Sequence, residues 1–346
     1  MRPVLVTGGA GFIGCNLADR LVREGHEVIV YDSLARPGVE RNVDWLRETH
    51  GDKVSAITAD VRDMAELTRA VREASAVFHM AAQVAVTTSL DDPRSDFETN
   101  VLGAVNLLEA ARGNAEPTPV IFASTNKVYG DLADLDLSPT PEGYLPVDKG
   151  PRDHGVGETQ PLDFHTPYGC SKGAADQYVL DYARSYNLPT AVMRMSCIYG
   201  RRQRGTEDQG WVAHFLIRAL SGQPITLYGD GQQVRDILDV RDAVAAYLAV
   251  WRKIERVSGR AFNLGGGPDN AVSLRTVLAE IERLVGEPLD ISSSDWRQGD
   301  QRYFVADTRT LEATLGWQRT VRWRDGVARL TEELRDVLPA RARAAA

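Results

Sequence analysis

Thr7-Gly8-Gly9-Ala10-Gly11-Phe12-Ile13-Gly14 decides the fold. An apolar run over residues 3–6 leads into it and the helical spacing of Leu17, Leu21 and Val22 follows, so the order is strand, glycine turn, helix. Gly8 permits the tight turn and Gly11 lets the main chain approach a pyrophosphate. Gly14 lets helix and strand pack closely, and the helix start at Phe12 and Ile13 offers free amides to phosphate oxygens. A second apolar run, residues 27–31, ends in Asp32, 18 residues beyond Gly14. A carboxylate there accepts hydrogen bonds from a ribose diol, which favours NAD over NADP. Arg36 is the nearby cation that would hold a 2′-phosphate, and an ordinary strand-end turn is the other reading of Asp32.

The alternation continues outward. Residues 54–58 read as a third strand ending at Asp60 and Val61, and residues 76–80 as a fourth ending at Ala81, Ala82 and Gln83. A helix over 94–112, carrying Asn100, leads to a fifth strand over 119–123. Strands joined by helices of this length imply right-handed crossovers and a parallel sheet with its ligand at the carboxyl edge, where these residues fall. The fold class expected is α/β: a Rossmann-type doubly wound parallel sheet with a smaller mixed α/β substrate-binding lobe. The NAD-binding domain is expected over 1–195, the lobe over 196–340 with the chain crossing back to the sheet, and a disordered tail over 341–346.

Composition narrows the function. The 346 residues can bury a substantial core, and a net charge of −8, with no basic block beyond Arg201-Arg202-Gln203-Arg204, argues against nucleic acid as a partner. Only two residues precede the first apolar strand and no apolar stretch approaches ~18 residues, so neither a signal peptide nor a membrane helix is expected, and the cytoplasm is the expected compartment. Three scattered cysteines and six histidines without ligand spacing point to no disulfide framework and no metal.

Tyr168 and Lys172 lie four apart on a helical pattern opened by Thr166 and Pro167, which makes phenol and ammonium neighbours on one face. A tyrosine with a pKa near ~10 acts as a base near neutrality only if that value falls by about three units, roughly 4 kcal/mol, and a unit charge at about 4 Å supplies that much at an effective dielectric of ~20. The hydroxyl of Thr125, just past the fifth strand, is placed to bind the substrate oxygen that the phenolate deprotonates.

With the glycine turn, this hydroxyl, tyrosine and lysine resemble the extended short-chain dehydrogenases/reductases, a family of nucleotide-sugar epimerases and dehydratases, over nearly the whole chain. The resemblance implies Tyr168 as acid/base, Lys172 as ribose anchor and pKa depressor, Thr125 as substrate ligand, a tightly bound NAD, and a homodimer built through helices including that of Tyr168. Residues 83–89, 124–131, 162–165, 168–178 and 208–211 resemble the branch of the family that inverts carbon 2 of a CDP-hexose. Dehydratases and decarboxylases of the family carry acids just after the hydroxyl position, where this chain has Asn126 and Lys127. Cys197 stands where many 4-epimerases hold the diphosphate with asparagine. A 4-epimerase or 4-keto reductase remains the alternative, since the triad does not choose the carbon, and a non-catalytic dinucleotide-binding regulator is the alternative from another class.

The second half yields further substrate candidates. Helical patterns over 211–220, 240–250, 274–285 and 323–334 alternate with strand-like pieces over 225–228, 234–237 and 261–263. Arg235 and Arg302 match positions where relatives hold diphosphate or ribose, and guanidinium groups fork well onto phosphate, although Asp236, Asp239 and Asp300 are ready ion-pair partners. Trp211 is a candidate wall of the nucleotide pocket or a core aromatic. Gln83, Thr87, Asn126 and Ser196 are neutral groups suited to sugar hydroxyls. The insertion over 131–165 has the length of a lid or a substrate wall.

Overall fold

The computed structural model describes residues 2–338; the tail expected over 341–346 lies outside them. Strands β1 (Val4–Thr7), β2 (Val28–Asp32), β3 (Val54–Thr58), β4 (Ala76–His79) and β5 (Val120–Thr125) join Thr190–Met195 and Arg260–Leu264 in one parallel sheet. From one edge the order is Arg260–Leu264, Thr190–Met195, β5, β4, β1, β2, β3. The order reverses between β1 and β4, which opens a crevice at their carboxyl ends. All of β1 and β5 is buried, as expected of Val- and Ile-rich strands covered on both faces.

One face packs under helix α1 (Phe12–Arg23) and helix Val240–Arg252, through Leu17, Leu21, Tyr247 and Leu248. The other carries helices Met64–Glu73, Gly103–Arg112 and Thr166–Tyr186, through Leu67, Val71, Leu107, Ala175 and Val179. A further core, centred on Leu216, Ile237, Ile281, Trp323 and Leu330, holds together the helices Trp211–Leu220, Leu274–Val285 and Trp323–Val337. The chain leaves the sheet after Met195 and returns to it at Arg260, where Phe262 pairs with Met193.

Two segments differ from expectation. The helix expected over 94–112 is three pieces, Pro93–Phe97, a π-turn Glu98–Leu102 and Gly103–Arg112. Val61 presses on Gly103 so closely that a Cβ there would stand 2.6 Å from it, and the widened turn beside that contact carries Asn100. The insertion over 131–165 is not a lid over the crevice. It forms a hairpin, Leu137–Thr140 with Gly143–Pro146, and a short helix Lys149–His154. Tyr144 N donates to Gln232 O at 3.0 Å and Tyr303 Oη to Pro151 O at 3.0 Å, so these bonds draw the insertion onto the second half of the chain. No helix of the described residues is long and apolar enough to cross a membrane, and no cluster of His, Cys, Asp and Glu among them would hold a metal ion.

Candidate active site

A cavity of about 480 Å³ runs along the carboxyl edge of the sheet, from Gly8, Gly11, Phe12, Ile13, Gly14, Asp32, Asp60 and Val61 past Ala81 and Ala82 to Thr125, Tyr168 and Lys172. Its first wall is backbone. Gly8 has φ +67°, and a Cβ there would lie 2.5 Å from the Ala81 amide; one on Gly14 would lie 2.2 Å from Gly8 O. Neither position admits a side chain without moving the turn. No side chain caps α1, so its first amides face the cavity uncommitted. Asp32 is fixed by amides, accepting from Ala10 N at 3.0 Å and Leu34 N at 2.9 Å, while burial raises its pKa. A glycine cradle, an uncapped helix start and an oriented carboxylate fit a dinucleotide: α1 would hold the pyrophosphate and Asp32 the adenosine ribose. Asp60 also reaches this wall, with its carboxylate closed by Arg62 at 2.7 Å.

The chemistry-bearing groups stand at the other end. The helix Thr166–Tyr186, from which Tyr168 and Lys172 project, has His165 and not the expected Thr166 at its N-cap position, and Thr166 Oγ1 accepts from Gly169 N at 3.3 Å within its first turn. Both are buried. The Thr125 hydroxyl beside the Tyr168 phenol eases its ionisation, but burial outweighs it and, with Asp96 adding in the same sense, pushes the phenol up to about 12. Lys172 Nζ donates to Ala123 O at 2.7 Å and lies 4.2 Å from the centre of the Phe122 ring; burial lowers its pKa to about 8, against Asp176 and Asp96. The Lys172 ammonium is drawn to the β5 carbonyl.

On the sugar side, several candidates lie elsewhere. Asn126, Ser196 and Trp211 line the cavity: Asn126 donates to Gln301 at 2.8 Å, Ser196 bonds Asp236, and Trp211 donates to Cys197 Sγ at 3.3 Å. Gln83, Thr87 and Asn100 do not line it. Gln83 folds back on its own loop, with Nε2 2.9 Å from Ala85 O, and Asn100 braces that loop by accepting from Gln83 N at 2.9 Å and donating to Gln83 O at 3.0 Å. The Thr87 hydroxyl is buried without a hydrogen-bond partner. Arg235 and Arg302 are also outside the lining. Arg235 is buried and paired with Asp300 at 2.7 Å, whereas Arg302 is exposed and stacks over Tyr144 and Trp296. The alternation between Gln301, Arg302 and Tyr303 turns Arg302 outward.

Two parts of the wall escaped the sequence reading. Residues 202–204 and 208–210, which lead up to the expected Trp211, also line the cavity. Arg201 ties this segment to Asn16 at 3.0 Å, Arg202 stacks on Trp45 at 3.5 Å, and Arg36 bonds Gln209 and Thr206 instead of standing free beside Asp32. The signal was there: the chain's one basic turn is what anchors the segment. Lys127 is the second case. It lines the cavity, donates to Gly299 O at 2.8 Å, and is pushed down to about 8 by burial.

A strand, glycine turn, helix and a Tyr-x-x-x-Lys helix sharing one cavity are what the comparisons with known proteins match. The family model described as NAD dependent epimerase/dehydratase family matches residues 4–265. The chain belongs to that family. It is an NAD-dependent enzyme with a short-chain dehydrogenase/reductase fold. It is 41% identical to CDP-paratose 2-epimerase of Salmonella typhi, over 94% of this chain and 97% of that protein. UDP-glucose 4-epimerase of Thermus thermophilus, solved in complex with NAD, superposes with a TM-score of 0.81 at 32% identity, covering 97% of this chain and all of that one. The Thermotoga maritima UDP-glucose 4-epimerase, solved with UDP-glucose, gives 0.83 at 30% identity over the same shares.

Proposed function

We propose that this enzyme inverts carbon 2 of a CDP-linked hexose by oxidising it to a ketone and reducing it again from the other face. The observation that carries the reading is the floor of the site: Thr125, Tyr168 and Lys172 line one cavity, with Asn126 and Lys127 in place of acids after Thr125. That set moves one proton to and from one oxygen and has no acid beside the hydroxyl residue for expelling water. The likeness to CDP-paratose 2-epimerase supports carbon 2 and the CDP group.

Tyr168 Oη accepts the proton of the sugar hydroxyl while Thr125 Oγ1 holds the sugar oxygen. NAD, when bound along α1 and Asp32, would supply the hydride acceptor and donor for this exchange. Lys172 supplies positive charge beneath the reacting oxygens. With the sugar's other face presented, Tyr168 gives the proton back. The redox change sums to zero.

The working unit is a dimer: Phe97, Leu102, Tyr178 and Tyr186 stay exposed on helices of one face of the sheet, a surface fitted to a second copy. Three free cysteines, one of them the exposed Cys170, suit a reducing cytoplasm. The test is to incubate the purified enzyme, without added cofactor, with CDP-, UDP- and dTDP-hexoses and read configuration by NMR. Inversion at carbon 2 of a CDP-sugar is expected. Inversion at carbon 4, or stoichiometric consumption of added NADPH, contradicts the proposal.

A further inference from the structure

Among the described residues, the cations that line the cavity are Arg36, Arg202, Arg204, Lys172 and Lys127. The first three gather on the stretch that follows Asp32. Arg36 belongs to it, Arg202 stacks on Trp45, and Arg204 Nη1 would stand 2.9 Å from a Cβ on Gly38. Lys172 is turned to Ala123 O, at the catalytic end. Lys127 is the cation left for the rest of the wall. It lies on the single turn Asn126–Tyr129, and its main-chain N–H donates to Thr125 Oγ1 at 3.2 Å, so the substrate-binding hydroxyl and this ammonium are carried by one short piece of chain. Of the three hydrogen bonds an ammonium can donate, Lys127 makes one, to Gly299 O at 2.8 Å. The carboxylate of Asp300 is 4.0 Å away and is held more closely by Arg235, at 2.7 Å. Asp236, beside Arg235 in sequence, is taken up by Ser196 and by the amides of Gly267 and Ala306. Two cations therefore share Asp300, and the one that reaches the cavity keeps 22% of its side-chain surface accessible.

We propose that Lys127 is a substrate-binding residue: it holds the sugar-linked phosphate of the nucleoside diphosphate, beside the carbon that reacts. The inference rests on the carbon 2 reading in one step. Carbon 2 is bonded to carbon 1, which bears the diphosphate, so a sugar whose carbon 2 oxygen lies on Thr125 brings its phosphate against the same turn. Carbon 4 lies across the ring from carbon 1, and a sugar reacting there would carry the phosphate away from it. An acid at position 127 would repel the phosphate, whereas an ammonium attracts it. The choice of lysine over arginine fits the same step. A guanidinium fork fixes the angle of the phosphate it grips, while an ammonium acts as a point charge with rotatable donors. A keto sugar that must swing about its phosphate bonds to present its other face needs the second kind of anchor. Burial, with Arg235 adding to it, lowers the Lys127 pKa to about 8, so the group is charged at neutral pH and gains from a further negative charge.

The test is calorimetric binding of CDP and CMP to the enzyme as purified and to Lys127→Gln, which removes the charge and keeps a donor for Gly299 O. CDP carries the second phosphate and CMP lacks it. In the variant the preference for CDP over CMP should fall about tenfold, the loss of one charge-assisted contact; a fall under about threefold overturns the proposal. A lysine that only ties down the Gly299 turn would weaken both nucleotides together and leave the preference in place, which counts against the proposal equally. Should the variant not fold, the wild-type enzyme supplies the reading. Under acetic anhydride, with modified lysines mapped by mass spectrometry, CDP should slow acetylation of Lys127 about fivefold or more and CMP by less than about twofold. Equal protection by the two overturns the proposal. Neither arm uses a sugar, so inversion at carbon 4 would remove the carbon 2 reading without touching them. The same ratios read with UDP and UMP keep the test of Lys127 apart from the choice of base.

Discussion

The two ends of the cavity are built from different materials. The dinucleotide end is main chain: a glycine turn, an uncapped helix start and a carboxylate held by two amides. The sugar end is side chain, and its polar groups answer to partners far away in sequence: Asn126 to Gln301, Lys127 to Gly299, Ser196 to Asp236. A main-chain site either forms or does not. A side-chain site can be adjusted one contact at a time, which is how one scaffold can keep its cofactor while its sugar changes.

That contrast can be broken or sharpened by substitution. Tyr168→Phe, where the two ends meet, removes the proton carrier and should lower kcat by about a thousandfold with the dinucleotide still bound. If more than about a tenth of the activity remains, Tyr168 is not the acid/base. Gly14→Ala should act as an all-or-none change at the main-chain end, because its Cβ would stand 2.2 Å from a backbone oxygen that has no flexible escape. Purified protein should carry less than about a tenth of the wild-type NAD, read from its absorbance ratio; normal content would show that the turn adapts.

Two arginines separate support of the core from support of the cavity wall, since Arg235 lies outside the lining and reaches it through Asp300 and Lys127. Arg194 forms a bidentate pair with Asp176 that is buried on both sides, so Arg194→Ala should cost about 3–5 kcal/mol in denaturant unfolding. Arg235 shares Asp300 with Lys127, 4.0 Å away, so Arg235→Gln leaves that carboxylate a cation. The expected outcome is a smaller one, KM raised about tenfold, or 1.4 kcal/mol, with stability lowered by less than about 1.5 kcal/mol. Equal stability losses in the two variants would erase the distinction.

The mildest effect is on pH. Lys172 has its pKa lowered from 10.5 to about 8, so it is charged below that value and kcat should decline as pH rises through it. Between about 8 and 10.5 the native protein binds fewer protons than the unfolded chain, so stability gains with pH there from this group, and burial of the charge costs most below 8. Lys172→Met should therefore gain stability over wild type near pH 7 and lose that advantage toward pH 10.5, as measured by urea midpoints. An advantage that grows with pH contradicts the sign.

The dinucleotide end was legible because its signals are local: Gly8, Gly11, Gly14 and Asp32 speak through spacing, and strand β3 (Val54–Thr58) follows from one apolar run between turns. Tyr168, Lys172 and Thr125 were legible for the same reason, since one helix and one strand end place them. Arg302, Gln83 and Thr87 misled because a side chain's direction depends on the loop that carries it, and those loops are shaped by Asp96, Asn100 and Tyr144 at long range. The π-turn at Asn100 and the role of the basic turn over 201–204 had no local signature beyond composition. The direction of the Lys172 ammonium was hidden in the same way. Neighbourhood on a helix face says which groups are near, and the carbonyl of Ala123, contributed by another element, says where the charge goes.

The most direct test of the oxidation and return is the fate of the hydrogen on carbon 2. With CDP-hexose deuterated at carbon 2, turned over in ordinary water without added cofactor, the inverted product should retain its deuterium at carbon 2. Product carrying solvent hydrogen there would mean exchange by enolisation, and the account built on Tyr168 and a returned hydride would be wrong.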